Sequence, residues 1–150
     1  MCWSQFAKTV MVIFVTAVFF NYPWELVQAP LYMGMEQFRT AAWHCFMASL
    51  GDGLLVLIIL AAGWVGLHRY DWFVHPGVQG YGVMLMTGLV LGIAIEWISM
   101  YLLGRWMYTA QMPLVPGLDV GVVPIVQMLI LPPVIFRLVA VWHNRTAGAP

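Results

Sequence analysis

The sequence predicts an all-α, polytopic membrane protein: an antiparallel bundle of four transmembrane helices with both termini in the cytoplasm. Of its residues, 63% are hydrophobic and only 8% are charged, too few to coat a soluble globule of 150 residues. Four apolar stretches of about twenty residues or more follow one another, and turn or charge signals separate them. The connections are too short for a second domain, so one bundle is expected.

The first helix is predicted over about residues 6–30. This run is read as a retained span and not as a cleaved signal peptide, because Pro30 directly follows the small-residue cleavage candidate at Ala29. The second helix is predicted over 41–67, the third over 78–103 and the fourth over 120–142. The separating segments contain Gly34 and Glu36, then 68–71, then 113–119.

Small residues at a spacing of four predict close helix packing in lipid. One row on the third helix contains Gly80, Gly88 and Gly92 in register with Glu96, and a shorter pair is Ala62 with Gly66. Tryptophans are expected near the membrane interfaces, with Trp72 among those on the cytoplasmic side.

Orientation follows from the basic residues. Lys8, Arg69, Arg137 and Arg145 fall on the side of the termini, whereas Arg39 and Arg105 fall on the other side. The positive-inside rule therefore places both termini in the cytoplasm. We accordingly expect a multi-pass protein of the bacterial inner membrane.

The polar residues segregate in depth. At a rise of about 1.5 Å per residue, each of the four helices brings a polar side chain into the outer, non-cytoplasmic half of the bilayer. The cytoplasmic half is almost purely apolar. The sequence therefore predicts a polar pocket in the outer half.

The segment 21–30 is central to that pocket, because Asn21, Glu25 and Gln28 are spaced to share one helix face. Carboxyl groups near mid-bilayer cost roughly 2.5–3.5 kcal/mol on insertion scales, so Asp52 and Glu96 are not expected to face lipid. They would pair with Arg105 or His44, or bind a proton. The glycines on either side of Asp52 would allow another backbone or a ligand to approach closely.

Two roles for these residues stay open at this point. In one, Glu25, His44, Asp52 and Glu96 are catalytic. The residues predicted to bind a ligand are then Asn21, Trp24, Gln28, Arg105, Tyr108, Gln111 and Gln127. In the other, Glu25, His44, Glu96 and Arg105 form an ion network that only holds the bundle together. No metal site is predicted, because no local ligand spacing such as His-x-x-x-His occurs, and no particular cofactor is indicated.

The chain resembles a family of small, uncharacterised bacterial membrane proteins with four helices. The resemblance rests on the pattern Asn-x-x-Trp-Glu-x-x-Gln at 21–28, Gly-Asp at 51–52, Trp-x-Tyr at 106–108, Met-Pro at 112–113 and Gly-x-x-Pro-x-x-Gln at 121–127. It covers most of the chain and implies no known activity. The Asn-x-x-Trp-Glu segment is also similar to one in the membrane-bound terpene cyclases of meroterpenoid pathways, which are longer and have more helices. That likeness implies that Glu25 is a proton donor.

Three functions are therefore expected. The first is binding or acid–base conversion of a lipid or isoprenoid, with Glu25 as the acid, His44 or Asp52 as the base, and Glu96 stabilising charge. The second is a non-catalytic subunit of a larger membrane complex, in which His44 ligates a pigment or haem. The third is a small transporter that acts as an oligomer. The expected partners are membrane lipids, a hydrophobic small molecule, and either further copies of the chain or subunits of a larger complex. Zero net charge and scattered basic residues exclude nucleic acid.

Overall fold

The computed structural model describes residues 3–147, which form four long helices without a β-strand. They are α1 (Trp3–Gln28), α2 (Phe38–Leu67), α3 (Gly77–Trp97) and α4 (Val122–Ala147). A short 3₁₀ turn, Ala29–Leu31, follows α1, and a π-helical turn, Ile98–Leu102, extends α3. The predicted all-α four-helix bundle is confirmed, although α4 is one turn longer than the sequence predicted.

All four helices are long and apolar enough to cross a membrane, over Gln5–Leu31, Phe38–Leu67, Gly77–Leu102 and Val122–Arg145. The core between them is formed by side chains of every helix, including Ile13, Val56, Met84 and Phe136. In such a protein the solvent-exposed apolar side chains of the spans face lipid tails. The chain is therefore a multi-pass membrane protein.

The row of small residues on α3 packs as the spacing predicts. Gly80, Gly88, Gly92 and Glu96 are all buried. At Gly88 an added Cβ would collide with the backbone carbonyl oxygen of Met128 on α4. This glycine therefore permits the close approach of α3 and α4.

The predicted packing role of Gly66 is wrong, because no atom lies within 4 Å of the position its Cβ would occupy. The close contact on this part of α2 is made one turn earlier, at Gly63, where a Cβ would collide with the Trp72 ring.

Trp72 explains that shift and corrects a second prediction. It does not lie at the interface but is fully buried, and its Nε1 donates a hydrogen bond of 3.0 Å to the Leu60 carbonyl oxygen. Its ring packs against Phe136 of α4. The loop between α2 and α3 thus closes the end of the bundle by inserting an aromatic side chain whose single polar group is satisfied.

The two loops at the other end of the bundle contact each other. The Met33 amide donates to the Met107 carbonyl oxygen and the Thr109 amide donates to the Leu31 carbonyl oxygen, each at 2.9 Å. Tyr32 and Tyr108 form an antiparallel bridge between these bonds. We call this end, formed by residues 29–37 and 103–121, the paired-loop side; it corresponds to the side that the sequence analysis predicts to be non-cytoplasmic.

Candidate functional site

The polar site is organised by Gln127 of α4, which is 1% exposed. Its amide nitrogen lies 2.8 Å from Asn21 Oδ1, 2.9 Å from Glu25 Oε1 and 3.0 Å from Asp52 Oδ2. An amide group has two N–H bonds, so these three acceptors share them. Its carbonyl oxygen accepts a hydrogen bond of 3.1 Å from Gln28 Nε2. One side chain therefore connects α1, α2 and α4 through polar contacts.

The α1 residues of this network share one helix face, as their spacing predicts. Asn21, Glu25 and Gln28 all contact Gln127, and Gln28 Nε2 also donates to Glu25 Oε1 at 2.6 Å. Asn21 Nδ2 donates to the Ala17 carbonyl oxygen one turn earlier, which fixes the orientation of its amide. The Oε1 atom of Gln28 is buried and has no hydrogen-bond partner within residues 3–147.

The Glu25 and Asp52 carboxyl groups are neighbours, because both accept from Gln127 Nε2, at 2.9 Å and 3.0 Å. The two glycines that flank Asp52 have different surroundings. At Gly53 a Cβ would lie 2.8 Å from Phe14 Cε2, so this glycine lets α1 and α2 approach closely. At Gly51 nothing lies within 4 Å, because this position faces a cavity.

Glu96 is held separately by the loop after α3. Its Oε2 accepts a short hydrogen bond from the Tyr108 hydroxyl and a longer one, of 3.4 Å, from Trp106 Nε1. The Tyr108 oxygen in turn accepts a hydrogen bond of 2.9 Å from the Gly121 amide. Burial and the neighbouring Glu96 carboxyl group raise the pKa of Tyr108, so its hydroxyl stays protonated and continues to donate. The π-helical turn that begins two residues after Glu96 is a feature often found at functional sites.

Glu25, Asp52 and Glu96 all line one cavity of about 620 Å³ between α2 and α3, which we call the carboxyl cavity. Its polar lining includes Glu25, Gln28, Asp52, Glu96 and Gln127. The rest of the wall is mostly apolar, and a cavity of this size fits the range of small-molecule sites, about 300–1,000 Å³. The predicted polar pocket is thus present in the half of the bundle that bears the paired loops.

The prediction that Glu25, His44, Glu96 and Arg105 form an ion network is wrong, because no salt bridge joins them in the described part of the chain. His44 is exposed at the rim of the carboxyl cavity, and its Nδ1 donates to the Thr40 carbonyl oxygen at 2.8 Å. Arg105 also lies at the rim and forms no salt bridge within residues 3–147. Amide, phenol and indole donors, rather than cations, hold these carboxyl groups. Gln28 of α1 and Gln127 of α4 donate to Glu25. Tyr108 and Trp106, in the loop after α3, donate to Glu96.

Four predicted ligand-binding residues do not line the carboxyl cavity, and one of them is Asn21, which is fully buried beside Gln127. Tyr108 reaches it only through Glu96, and Gln111 is exposed in a turn of the paired loops. Trp24 lines a separate, apolar groove of about 570 Å³ between α1 and α4, and its buried Nε1 has no hydrogen-bond partner among the described residues. Although Trp24 is only three residues from Asn21 of the polar network, its side chain packs against the hydrophobic core of the bundle.

Sequence reasoning missed several contributors to the site. Trp106, like the other tryptophans, was expected only to lie near a membrane interface, yet its indole donates to Glu96. Tyr32 was not singled out, yet its ring packs against Trp106 and Tyr108. Cys45 and Ser99 line the cavity through the facing surfaces of α2 and α3. The sequence carried no signal for these contacts, because they depend on how the two loops pair.

The arrangement offers carboxyl and amide groups but no metal-binding cluster. Within the described part of the chain, no group of three or more His, Cys, Asp or Glu side chains is placed to hold a metal ion. The side chains that line the cavity can form hydrogen bonds and transfer protons.

Comparisons with protein-family models, with curated proteins and with solved structures found no match to this chain. The resemblance to small bacterial membrane proteins thus stays a prediction, and function has to be inferred from the geometry of the carboxyl cavity.

Proposed function

We propose that this protein binds a lipid or isoprenoid in the carboxyl cavity and transfers a proton between that ligand and the Glu25–Asp52 pair. The observation that carries the proposal is that two carboxyl groups from different helices share one amide donor, Gln127, at the wall of a largely apolar cavity. The protein would act in the inner membrane of a bacterium, with the paired-loop side facing away from the cytoplasm.

Two buried carboxyl groups that accept from the same amide nitrogen lie close enough to favour one shared proton over two negative charges. Two carboxylates in contact repel each other, and no cation among the described residues compensates the pair. Gln127 and Gln28 both donate to Glu25 Oε1, and Gln127 also donates to Asp52 Oδ2. This arrangement suits a pair that holds one proton and one negative charge, which is an acid and a base side by side.

The catalytic roles are assigned from the positions of the carboxyl groups in the cavity. Glu25 would donate its proton to an electron-rich atom of the ligand, such as an alkene carbon or an oxygen. Asp52 would accept a proton from the ligand and return it to Glu25. Asp52 is preferred to His44 as the base, since Asp52 shares the Gln127 amide with Glu25 and His44 lies at the exposed rim. Glu96, held by Tyr108 and Trp106, would stabilise positive charge that develops on the ligand.

The binding part of the proposal is tested by filling the cavity. Gly51 lines the carboxyl cavity and has no atom near its Cβ position, so Gly51→Phe should occupy the cavity without disturbing the packing of α2. Gly66→Phe is the matched control, because Gly66 lies on the same helix, is equally open and does not line the cavity.

Native mass spectrometry of protein extracted gently from its own membrane would compare the two variants. We expect a small molecule to be retained by the wild type and by Gly66→Phe, and to be lost from Gly51→Phe. Equal retention in all three proteins would contradict binding in the carboxyl cavity. A protein partner at fixed stoichiometry and no small molecule would instead support the complex-subunit hypothesis.

Proton transfer is tested by isotope incorporation. Membranes containing the protein are incubated in deuterated water, and the retained ligand is analysed for deuterium bound to carbon. We expect incorporation with the wild type and with Glu36→Gln, a change in an exposed loop, but not with Glu25→Gln. Equal incorporation with Glu25→Gln would exclude Glu25 as the acid.

A further inference from the structure

We propose that the ligand of the carboxyl cavity is an amphiphile with an anionic headgroup, which Arg105 binds at the rim while the apolar part lies between α2 and α3. This inference rests on the proposed function, because it assumes that a lipid occupies the cavity. It adds the charge of the headgroup, the direction of the molecule and the route by which it enters.

The first observation is an uncompensated cation at the rim. Arg105 lines the cavity and is exposed, and its backbone amide donates to the Ser99 carbonyl oxygen at 2.9 Å, which fixes its position after the π-helical turn. The three acidic residues of the cavity are engaged with amide, phenol and indole donors, and none of them forms a salt bridge with Arg105. A guanidinium group is a preferred partner of phosphate and carboxylate groups.

A second donor or acceptor lies at the same rim. His44 uses Nδ1 to donate to the Thr40 carbonyl oxygen, which leaves Nε2 directed away from its own helix backbone. His44 and Arg105 come from α2 and from the loop after α3, so they approach the cavity mouth from two different segments. A headgroup at this mouth would meet nitrogen atoms from both.

The depth of the cavity suits a long amphiphile better than a small free anion. The lining on α2 extends from His44 through Cys45 to Leu55, and the ten-residue step from Cys45 to Leu55 covers about 15 Å at about 1.5 Å per residue. This distance is about half the thickness of the hydrocarbon core. A ligand that fills the cavity therefore extends from the headgroup level to the middle of the bilayer.

The cavity also opens towards the surrounding lipid. Met47 and Gly51 on α2, with Ile95 and Ile98 on the facing side, line the cavity and are exposed within the spans. Exposed apolar side chains at this depth contact lipid tails. An acyl or isoprenyl chain can thus enter sideways between α2 and α3, while its headgroup stays level with Arg105.

The test uses three probes and purified protein in phosphatidylcholine nanodiscs. The probes are hexadecyl phosphate, hexadecanol and inorganic phosphate, and native mass spectrometry measures the bound fraction of each. Arg105→Gln removes the proposed contact. Arg39→Gln is the matched control, because it removes one positive charge from the same side of the bundle without altering the cavity lining.

We expect the wild type and Arg39→Gln to bind hexadecyl phosphate about fivefold more tightly than hexadecanol, as for one partly exposed charged contact. Arg105→Gln should bind the two amphiphiles equally, and inorganic phosphate should bind weakly to all proteins. Equal binding of both amphiphiles to the wild type would overturn the anionic headgroup. Tight binding of inorganic phosphate that depends on Arg105 would show a free-anion site and overturn the amphiphile.

Failure of the proposed function has a different signature. In that case Gly51→Phe, which fills the carboxyl cavity, would not weaken the binding of either amphiphile, whatever the effect of Arg105→Gln. Loss of both amphiphiles in Gly51→Phe, together with indifference to Arg105→Gln, would keep the lipid site and reject the headgroup assignment.

Discussion

Replacing Gln127 should destabilise the bundle more than any other single polar substitution on α4. Its amide makes interhelical contacts with Asn21, Glu25, Gln28 and Asp52, and the side chain is buried. Gln127→Leu keeps a similar volume but removes every one of these contacts. The Glu25–Asp52 pair would then lose its shared amide donor.

The expected magnitude can be bounded from two directions. The Gln127 amide can make three full hydrogen bonds, two as donor and one as acceptor. Interhelical hydrogen bonds in a membrane average about 0.6 kcal/mol each, so these bonds together contribute about 2 kcal/mol. A buried polar group left without its partner costs about 1–3 kcal/mol. We therefore expect Gln127→Leu to lower the free energy of unfolding by about 2–3 kcal/mol. Gln127→Glu should cost more, because it replaces the donor by a third carboxyl group facing Glu25 and Asp52.

The assay measures reversible unfolding of the protein in a bilayer mimetic, and unfolding is driven by detergent titration or by steric trapping. Gln111→Leu serves as the control, since Gln111 is exposed in the paired loops and should change stability by less than about 0.5 kcal/mol. A Gln127→Leu protein as stable as this control would refute the claim that Gln127 organises the site. So would a Gln127→Glu protein that is more stable than Gln127→Leu.

Three further predictions use the same chain. Tyr108→Phe should cost about 1–3 kcal/mol, because Glu96 and the Gly121 amide each lose a partner, whereas Tyr101→Phe, an exposed contact, should cost less than about 0.5 kcal/mol in the same unfolding assay. Gly88→Ala should cost about 1–3 kcal/mol through its collision with α4, and Gly82→Ala, which has open space, should be tolerated; equal stabilities would contradict the packing described for α3. A reporter fused to the carboxyl terminus should be active in the cytoplasm, and activity of a periplasmic reporter there would reverse the predicted orientation.

The bundle could be predicted from the sequence because its signals are local. Apolar length defined the four spans, and the spacing of Gly80, Gly88 and Gly92 identified the packed face of α3. Helical spacing likewise placed Asn21, Glu25 and Gln28 on one face. These properties depend on residues a few positions apart, and they do not require knowledge of which helix lies opposite.

The partners of the carboxyl groups could not be predicted in the same way. Sequence reasoning paired them with Arg105 or His44, since opposite charge is the simplest source of stabilisation. The structure holds Glu25 through Gln127 and Glu96 through Tyr108, and these choices depend on the rotation of α4 and on the pairing of two distant loops. Trp72 is a similar case, because burial of its ring depends on the Leu60 carbonyl oxygen and on space at Gly63.

Infrared spectroscopy of the reconstituted protein at neutral pH tests most directly whether Glu25 and Asp52 hold one proton. We predict a carbonyl stretching band of a protonated carboxyl group that shifts in deuterated water. The band should persist in Glu96→Gln and disappear in the double variant Glu25→Gln/Asp52→Asn. A wild-type spectrum without this band, or a band that survives in the double variant, would contradict a proton-sharing pair and the acid–base function built on it.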